Sequence, residues 1–259
     1  MVSKEVVDRQ RSAGAVTSSI ATHGAAAGES LMKRFGEVLR KGECAPDVAF
    51  TLELFGRLLA RDAEALVAAD DRHEAEKGDD DAPRAARDES AAVVRDACVA
   101  ARDGIAAVYG DAALAPLGLA EPAPPVGDGV ALARYADRAA TKLADAKLAL
   151  PKPRVRGLSA DRNALAAGIR EQLPTLERAL ADVARERREL EGTQAEKNRA
   201  VARYDATFAL AANVTGALLR AAGMDEHADR VRPSARRPGR TEGQPAEPEK
   251  PVEPDAPTG

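Results

Sequence analysis

The sequence predicts an all-α fold: a tandem pair of three-helix units built as long helical hairpins, a six-helix bundle, followed by a disordered Pro/Glu-rich C-terminal tail. Three observations predict it. Alanine, the strongest helix former, supplies 58 of the 259 residues. Proline is missing from 47–82, 84–115, 126–150 and 175–232, so long helices can run there unbroken. No segment alternates apolar and polar side chains with the period of two that a half-buried strand requires.

Taken in order, the first helix is carried by Ala13, Val16, Ile20, Ala27, Leu31, Phe35 and Val38, which recur at helical spacing. Gly14, Gly24 and Gly28 weaken it, so the part before Glu29 is the least secure. A second helix starts at Pro46–Asp47 and carries Thr51, Phe55, Leu59, Asp62, Leu66 and Ala69 to an Asp-rich turn between Gly78 and Pro83. A third runs from about Arg84 to Tyr109 with Val94, Cys98 and Ile105 on its apolar face, and stops at Gly110. Residues 129–147 make a fourth, ended by the loop that Pro151 and Pro153 force.

Ser159 and Asp161 offer caps for a fifth helix with Leu165, Ile169, Leu173, Leu176, Leu180, Val183 and Leu190, in which Pro174 forces a kink or a later start. A sixth holds Val201, Tyr204, Phe208, Val214 and Leu218 and ends near Gly223. Ile169, Leu176, Val183, Leu190, Lys197, Tyr204, Ala211 and Leu218 keep a seven-residue register across Gly192, which one helix of about 60 residues would also explain. Arg187, Gln194 and Lys197 fall in the middle of that seam, where a coiled coil wants apolar side chains. A polar gap flanked by apolar stretches fits a hairpin tip reaching into water, so two hairpins are the preferred reading.

The halves match in pieces. LMKRFGEVL (31–39) lies over ALARYADRA (131–139), pairing Phe35 with Tyr135, and the order of three helices, a glycine stop and a proline-rich exit recurs. This places the units at 1–125 and 126–232, and the tail at 233–259. Beyond Thr241 the composition is five acids, one lysine and five prolines with almost nothing apolar, which cannot offset its ordering entropy.

Composition narrows the function. There is no tryptophan and only three tyrosines and four phenylalanines, too few for aromatic stacking on bases or sugars. The two cysteines, 44 and 98, cannot form a disulfide scaffold and do not make a Cys-x-x-Cys pair. No apolar run is long enough to span a membrane. Lys4, Glu5, Asp8, Arg9 and Arg11 give a mixed-charge start unlike an export signal, so a cytoplasmic location is expected.

Motifs for chemistry are sparse. Asp70-x-x-His73 is half of a dimetal-carboxylate pattern, occurs once, and reads as a solvated polar tip. Asp225, Glu226, His227 and Asp229 read as acids complementing a helix dipole. Cys44 precedes a helix N-terminus with no histidine near it in sequence, and Cys98 reads as a small core residue. Phosphate-binding glycine motifs are absent. No catalytic, cofactor-binding or metal-ligating residue is therefore assigned.

Charge supplies the remaining signals. The net charge is -4, with nine acids against two bases over 62–81. Opposed to these are Lys147 with Lys152, Arg154 and Arg156, and the run Arg230, Arg232, Arg236, Arg237 and Arg240, which are the candidate contacts to a phosphate backbone or a protein partner. The reading that fits best is a non-enzymatic helical-bundle scaffold or adaptor working through protein–protein, including homo-oligomeric, helix packing. The alanine stripes Ala131, Ala136, Ala139, Ala140 and Ala209, Ala211, Ala212 are its candidate faces. Alternatives are a nucleic-acid-associated protein using segments 147–156 and 230–240, and an enzyme or metal-binding bundle with no recognisable motif.

Overall fold

The structure is a computed structural model; it describes residues 2–78, 81–120 and 124–242. Among these the regular elements are helical: α1 (Lys4–Gly36), α2 (Val48–Gly78), α3 (Asp81–Tyr109), a 3-10 turn (Asp111–Ala113), α4 (Leu114–Leu117), α5 (Gly129–Ala144), α6 (Arg162–Ala221) and α7 (Asp225–Arg230). A single isolated antiparallel bridge joins Pro233 and Thr241. The all-α expectation holds for the described residues.

Helix starts follow the aspartates. Asp47, Asp128 and Asp161 each accept the backbone N–H three residues on, from Phe50 (2.9 Å), Ala131 (2.9 Å) and Ala164 (3.0 Å), satisfying an amide the helix itself leaves open. At the other end of α5, the Arg162 guanidinium donates to the carbonyls of Leu143, Leu148, Lys142 and Asp145 at 2.7–3.2 Å, so the first residue of α6 caps the helix before it.

Three expectations are corrected. Residues 162–221 are one helix of 60 residues, not two arms of a hairpin, and Pro174 sits inside it. Pro174 costs α6 one backbone hydrogen bond, which the rest of so long a helix outweighs. Second, α1 is helical from Lys4, through the glycines that made its first half doubtful. Gly28 is there for closeness: a Cβ on it would lie 3.0 Å from the Ala49 Cβ and 3.1 Å from the Ala49 nitrogen, tighter than helices carrying larger side chains can approach.

Third, the compact units do not follow the division at 125/126. The described residues within Met1–Glu74 and Thr193–Gly259 form one unit, and those within Ala75–Gly192 the other. Because α6 is continuous, its first 31 residues (162–192) belong to the second unit and its last 29 (193–221) to the first. The matched fragments 31–39 and 131–139 thus fall in different units built from different sets of helices.

The first unit packs α1, α2 and the end of α6 around Val16, Leu31, Leu52, Leu59, Leu66, Tyr204, Phe208 and Leu219. The second packs α3, α4, α5 and the start of α6 around Val94, Cys98, Ile105, Leu117, Leu132, Leu143, Ile169 and Leu176. Tyr135, Tyr204 and Phe208 are buried anchors, whereas Phe50 is half exposed.

The tail boundary also moves. Residues 233–242, expected to be disordered, are folded against α1 and α6. Arg240 pairs with Asp8 (2.9 Å), the Thr241 amide donates to the Ser12 hydroxyl (3.3 Å), and Thr241 is 5% exposed. The remaining tail, 243–259, lies outside the described residues.

Candidate functional site

The first unit buries a seam of charge between its three long helices. On α2 the buried positions run Leu52, Gly56, Leu59, Asp62, Leu66, Ala69, Asp70 and His73, one helical stripe that changes from apolar to polar toward its end. Asp70 is fully buried. One of its oxygens takes the Ser3 backbone N–H (2.6 Å), and the other takes the Ser3 hydroxyl (2.9 Å) and the Lys197 ammonium (2.6 Å). Ser3, at the N-cap of α1, spends its hydroxyl on Asp70 instead of on its own helix.

One turn on, His73 is 3% exposed, with its Nδ1 3.2 Å from the Thr193 hydroxyl. Two turns before Asp70, Asp62 is 2% exposed and is held by Thr207 (2.7 Å), Arg61 (2.9 Å) and Arg203 (3.0 Å). A third carboxylate, Asp205, receives Arg9 through two parallel bonds of 2.9 and 3.0 Å, the planar fork geometry that suits arginine. Glu5 takes another Arg9 nitrogen at 2.6 Å. Beside this pair the Tyr204 hydroxyl donates to the Arg9 carbonyl (2.6 Å).

These surroundings shift the groups predictably. Burial pushes the Asp62 carboxyl up, but Thr207, Arg61 and Arg203 outweigh it and hold it below the ordinary carboxylate range. Burial likewise raises Asp70, and the Lys197 and Ser3 donors overcome it, leaving the carboxyl lowered. The Asp205 hydrogen bond, against burial and with help from Glu5, raises Arg9 further above its already high value. In the second unit burial alone pushes the Cys98 thiol up to about 11.

The sequence expectation for Asp70 and His73 is therefore corrected: they are buried and partnered, not solvated. The cause is the continuity of α6, which brings Lys197 and Thr193 to α2 where a hairpin tip would have carried them into water. The seam is an interhelical lock in chemical terms, since every carboxylate oxygen named is already engaged by a cation, a hydroxyl or a backbone N–H.

Asp225 and Glu226 do occupy the first turn of α7, and Asp225 is exposed while pairing with Arg220 at 3.7 Å. His227 stacks on His23 of α1, with ring centroids 3.8 Å apart. Three carboxylates converge in the second unit, where Glu76, Glu186 and Glu189 bring oxygens within 4.8 Å of one another. They lie at half-buried to exposed positions, and acidic side chains on exposed helices meet in this way without an ion. Cys44 is exposed, and Cys98 is buried in the core.

The basic candidates divide between the units. Lys152, Arg154 and Arg156 are exposed in the loop before α6, where the Arg154 amide donates to the Val108 carbonyl (2.8 Å) and its guanidinium lies over Gly110. In the first unit Arg230 and Arg236 are exposed, Arg237 is half-buried, Arg232 pairs with Glu242 (3.1 Å), and Arg240 pairs with Asp8 (2.9 Å). Arg232 and Arg240 are thereby spent on the protein's own acids.

The alanine stripes face inward. Ala136, Ala139 and Ala140 are in the core of the second unit, and Ala211 and Ala212 in that of the first, while Ala131 and Ala209 are half-buried. They are internal contacts, not partner faces. What the second unit does leave open is a groove between α3 and α6. Two adjoining hollows, of about 320 and 490 Å³, share Ala86 and Thr175. Glu89, Val93 and Gln172 line one, and Pro83, Arg178, Ala179 and Asp182 line the other.

No helix among the described residues is long and apolar enough to cross a membrane. No protein-family model, curated protein or solved structure matches the chain.

Proposed function

We propose that this protein is a non-enzymatic helical scaffold or adaptor, and that its partner helix lies in the α3–α6 groove of the second unit. The single observation that carries the reading is that groove: two hollows joined at Ala86 and Thr175, with Ala82 and Ala179 among their small lining side chains and 43%-exposed Val93 beside them. Small floor residues let a helix axis approach closely, and Glu89, Arg178 and Asp182 on the walls supply both signs of charge to set its register. The two free cysteines, neither in a disulfide, support a cytoplasmic setting.

The test is affinity capture with mass spectrometry, comparing the wild-type chain with Ala86→Arg/Thr175→Arg. Both positions are exposed, so the substitutions fill the groove without disturbing the core. Proteins recovered by the wild type and lost from the variant support the reading, and recovery unaffected by the variant overturns it. If nothing is recovered and light scattering gives a monomer at every concentration, the scaffold reading fails. Binding to duplex DNA that weakens steeply with salt would favour the basic segments instead.

A further inference from the structure

We propose that Ser159, in the loop between α5 and α6 of the second unit, is a phosphorylation site for a serine kinase that reads arginine on the N-terminal side of its acceptor. The acceptor closes the run Arg154, Val155, Arg156, Gly157, Leu158, Ser159, with arginine at the third and the fifth positions before it. No other serine or threonine of the chain has arginine at both. Ser12, Ser90 and Thr141 have it at the third alone. Each of those is held within a helix, and the two serines are buried.

The loop presents this segment openly. Residues 145–161 form no helix or strand, and 151–159 are exposed throughout. Loops of that length inside a compact unit are either linkers or carriers of function. Two backbone bonds tie 151–159 down among the described residues: the Arg154 amide to the Val108 carbonyl (2.8 Å) and the Leu158 amide to the Val155 carbonyl (3.2 Å). The second closes a turn at Gly157, which has φ of +89°. Opening that one turn gives the extended segment that a kinase cleft takes. The acceptor oxygen is also unspent. Of the two caps the sequence offers α6, Asp161 serves, accepting the Ala164 amide at 3.0 Å. The Ser159 hydroxyl makes no hydrogen bond among the described residues.

Charge fits the same partner. Between Asp145 and Asp161 the chain carries four cations, Lys147, Lys152, Arg154 and Arg156, and no acid. None of the four pairs with a carboxylate among the described residues. They are free to enter a cleft lined with carboxylates, which a kinase selecting arginine must supply. In the transfer the Ser159 Oγ bonds to the γ-phosphorus of ATP as the bond from that phosphorus to its bridging oxygen breaks. The hydroxyl proton passes to the kinase's base, and ADP leaves. The product sets about two negative charges and three acceptor oxygens beside Arg154 and Arg156. Both guanidinium forks lack a carboxylate partner and suit a phosphate, so the loop closes on its own modification.

The test uses the full-length chain, ATP labelled at its γ-phosphate and a purified serine kinase of that specificity, with a peptide of residues 149–164 as comparator. The folded chain should take up a single phosphate, placed at Ser159 by fragment mass spectrometry, at a rate within several-fold of the peptide's. Ser159→Ala should abolish uptake. Arg156→Ala, at an exposed position, should slow it about tenfold, the loss of one charge-assisted contact. A peptide that is phosphorylated while the folded chain is not overturns the proposal. So does phosphate at another residue, uptake indifferent to Arg156→Ala, or a peptide that the kinase ignores. On phosphorylation the Nε–H resonances of Arg154 and Arg156 should shift together, and resonances that stay in place overturn the closing of the loop on its phosphate.

Discussion

The Lys197 ammonium lies 2.6 Å from the buried Asp70 carboxylate, at the point where the seven-residue register of α6 loses its apolar side chains. The register does not end there; it changes from packing to pairing.

Removing the cation alone strands a buried carboxylate. Lys197→Met is expected to cost about 3–5 kcal/mol in urea unfolding. Adding Asp70→Asn should recover much of it, because the amide carbonyl still accepts from Ser3. A single-variant loss below about 1 kcal/mol would contradict the buried pairing.

Acid should undo the same seam. The folded values of Asp62 and Asp70 are depressed, so their contribution is complete above the ordinary carboxylate value near 3.9 and is lost as pH falls through the lower folded values. Denaturant midpoints measured from pH 6 to pH 2.5 should fall steeply below about pH 4. Asp62→Asn should flatten that slope.

Between Ala179 and Tyr204 no residue of α6 is fully buried, yet the helix is unbroken and Gly192 has open space around it. Gly192→Ala should therefore stabilise by about 0.5–1 kcal/mol, as alanine does at an unstrained helical glycine. A hairpin turn at this place would give no such gain, so the sign of the change in thermal midpoint decides between the two.

Thiol titration separates the cysteines. Cys44 should react at once in the native protein and Cys98 only in denaturant. Since Cys98 is raised from 9.0 to about 11 by burial, the folded state keeps its proton over that interval and stability should fall as pH rises through it.

Gly239 tests the folded part of the tail. It has φ of +71°, and a Cβ there would collide with the Asp205 carboxylate and lie 3.0 Å from the Arg9 Nε. Gly239→Ala is expected to destabilise by about 1–3 kcal/mol, through strain and loss of the Arg9–Asp205 geometry. A neutral result would mean that segment 233–242 does not pack on the unit.

Much of the fold was legible because it depends on local signals. Asp47 and Asp161 mark helix starts, Gly110 a stop, and Leu59, Asp62 and Leu66 one face of α2. What failed depends on partners far along the chain. Asp70, His73 and Lys197 each look solvated when read alone, because nothing local says that a carboxylate on α2 will meet an ammonium on α6. One hint was present: Asp62 sits on an apolar stripe, and Lys197 on an apolar seam, each as the odd member. Each is met across the helices by its own partner, Asp62 by Arg203 and Lys197 by Asp70. The alanine stripes misled for the opposite reason, since small side chains serve a core and an open face equally well.

The division of the chain also dictates an order of assembly. Ala75–Gly192 is contiguous, so everything the second unit needs has been synthesised before Thr193 is added. The first unit must wait: Asp62, Asp70 and Arg9 are synthesised early and remain without Lys197, Arg203 and Asp205 until the far end of α6 arrives. The second unit can thus fold as a unit during synthesis while α1 and α2 stay incomplete. The ionic seam then acts as the closing latch of biosynthesis, set only when the two ends of the chain meet.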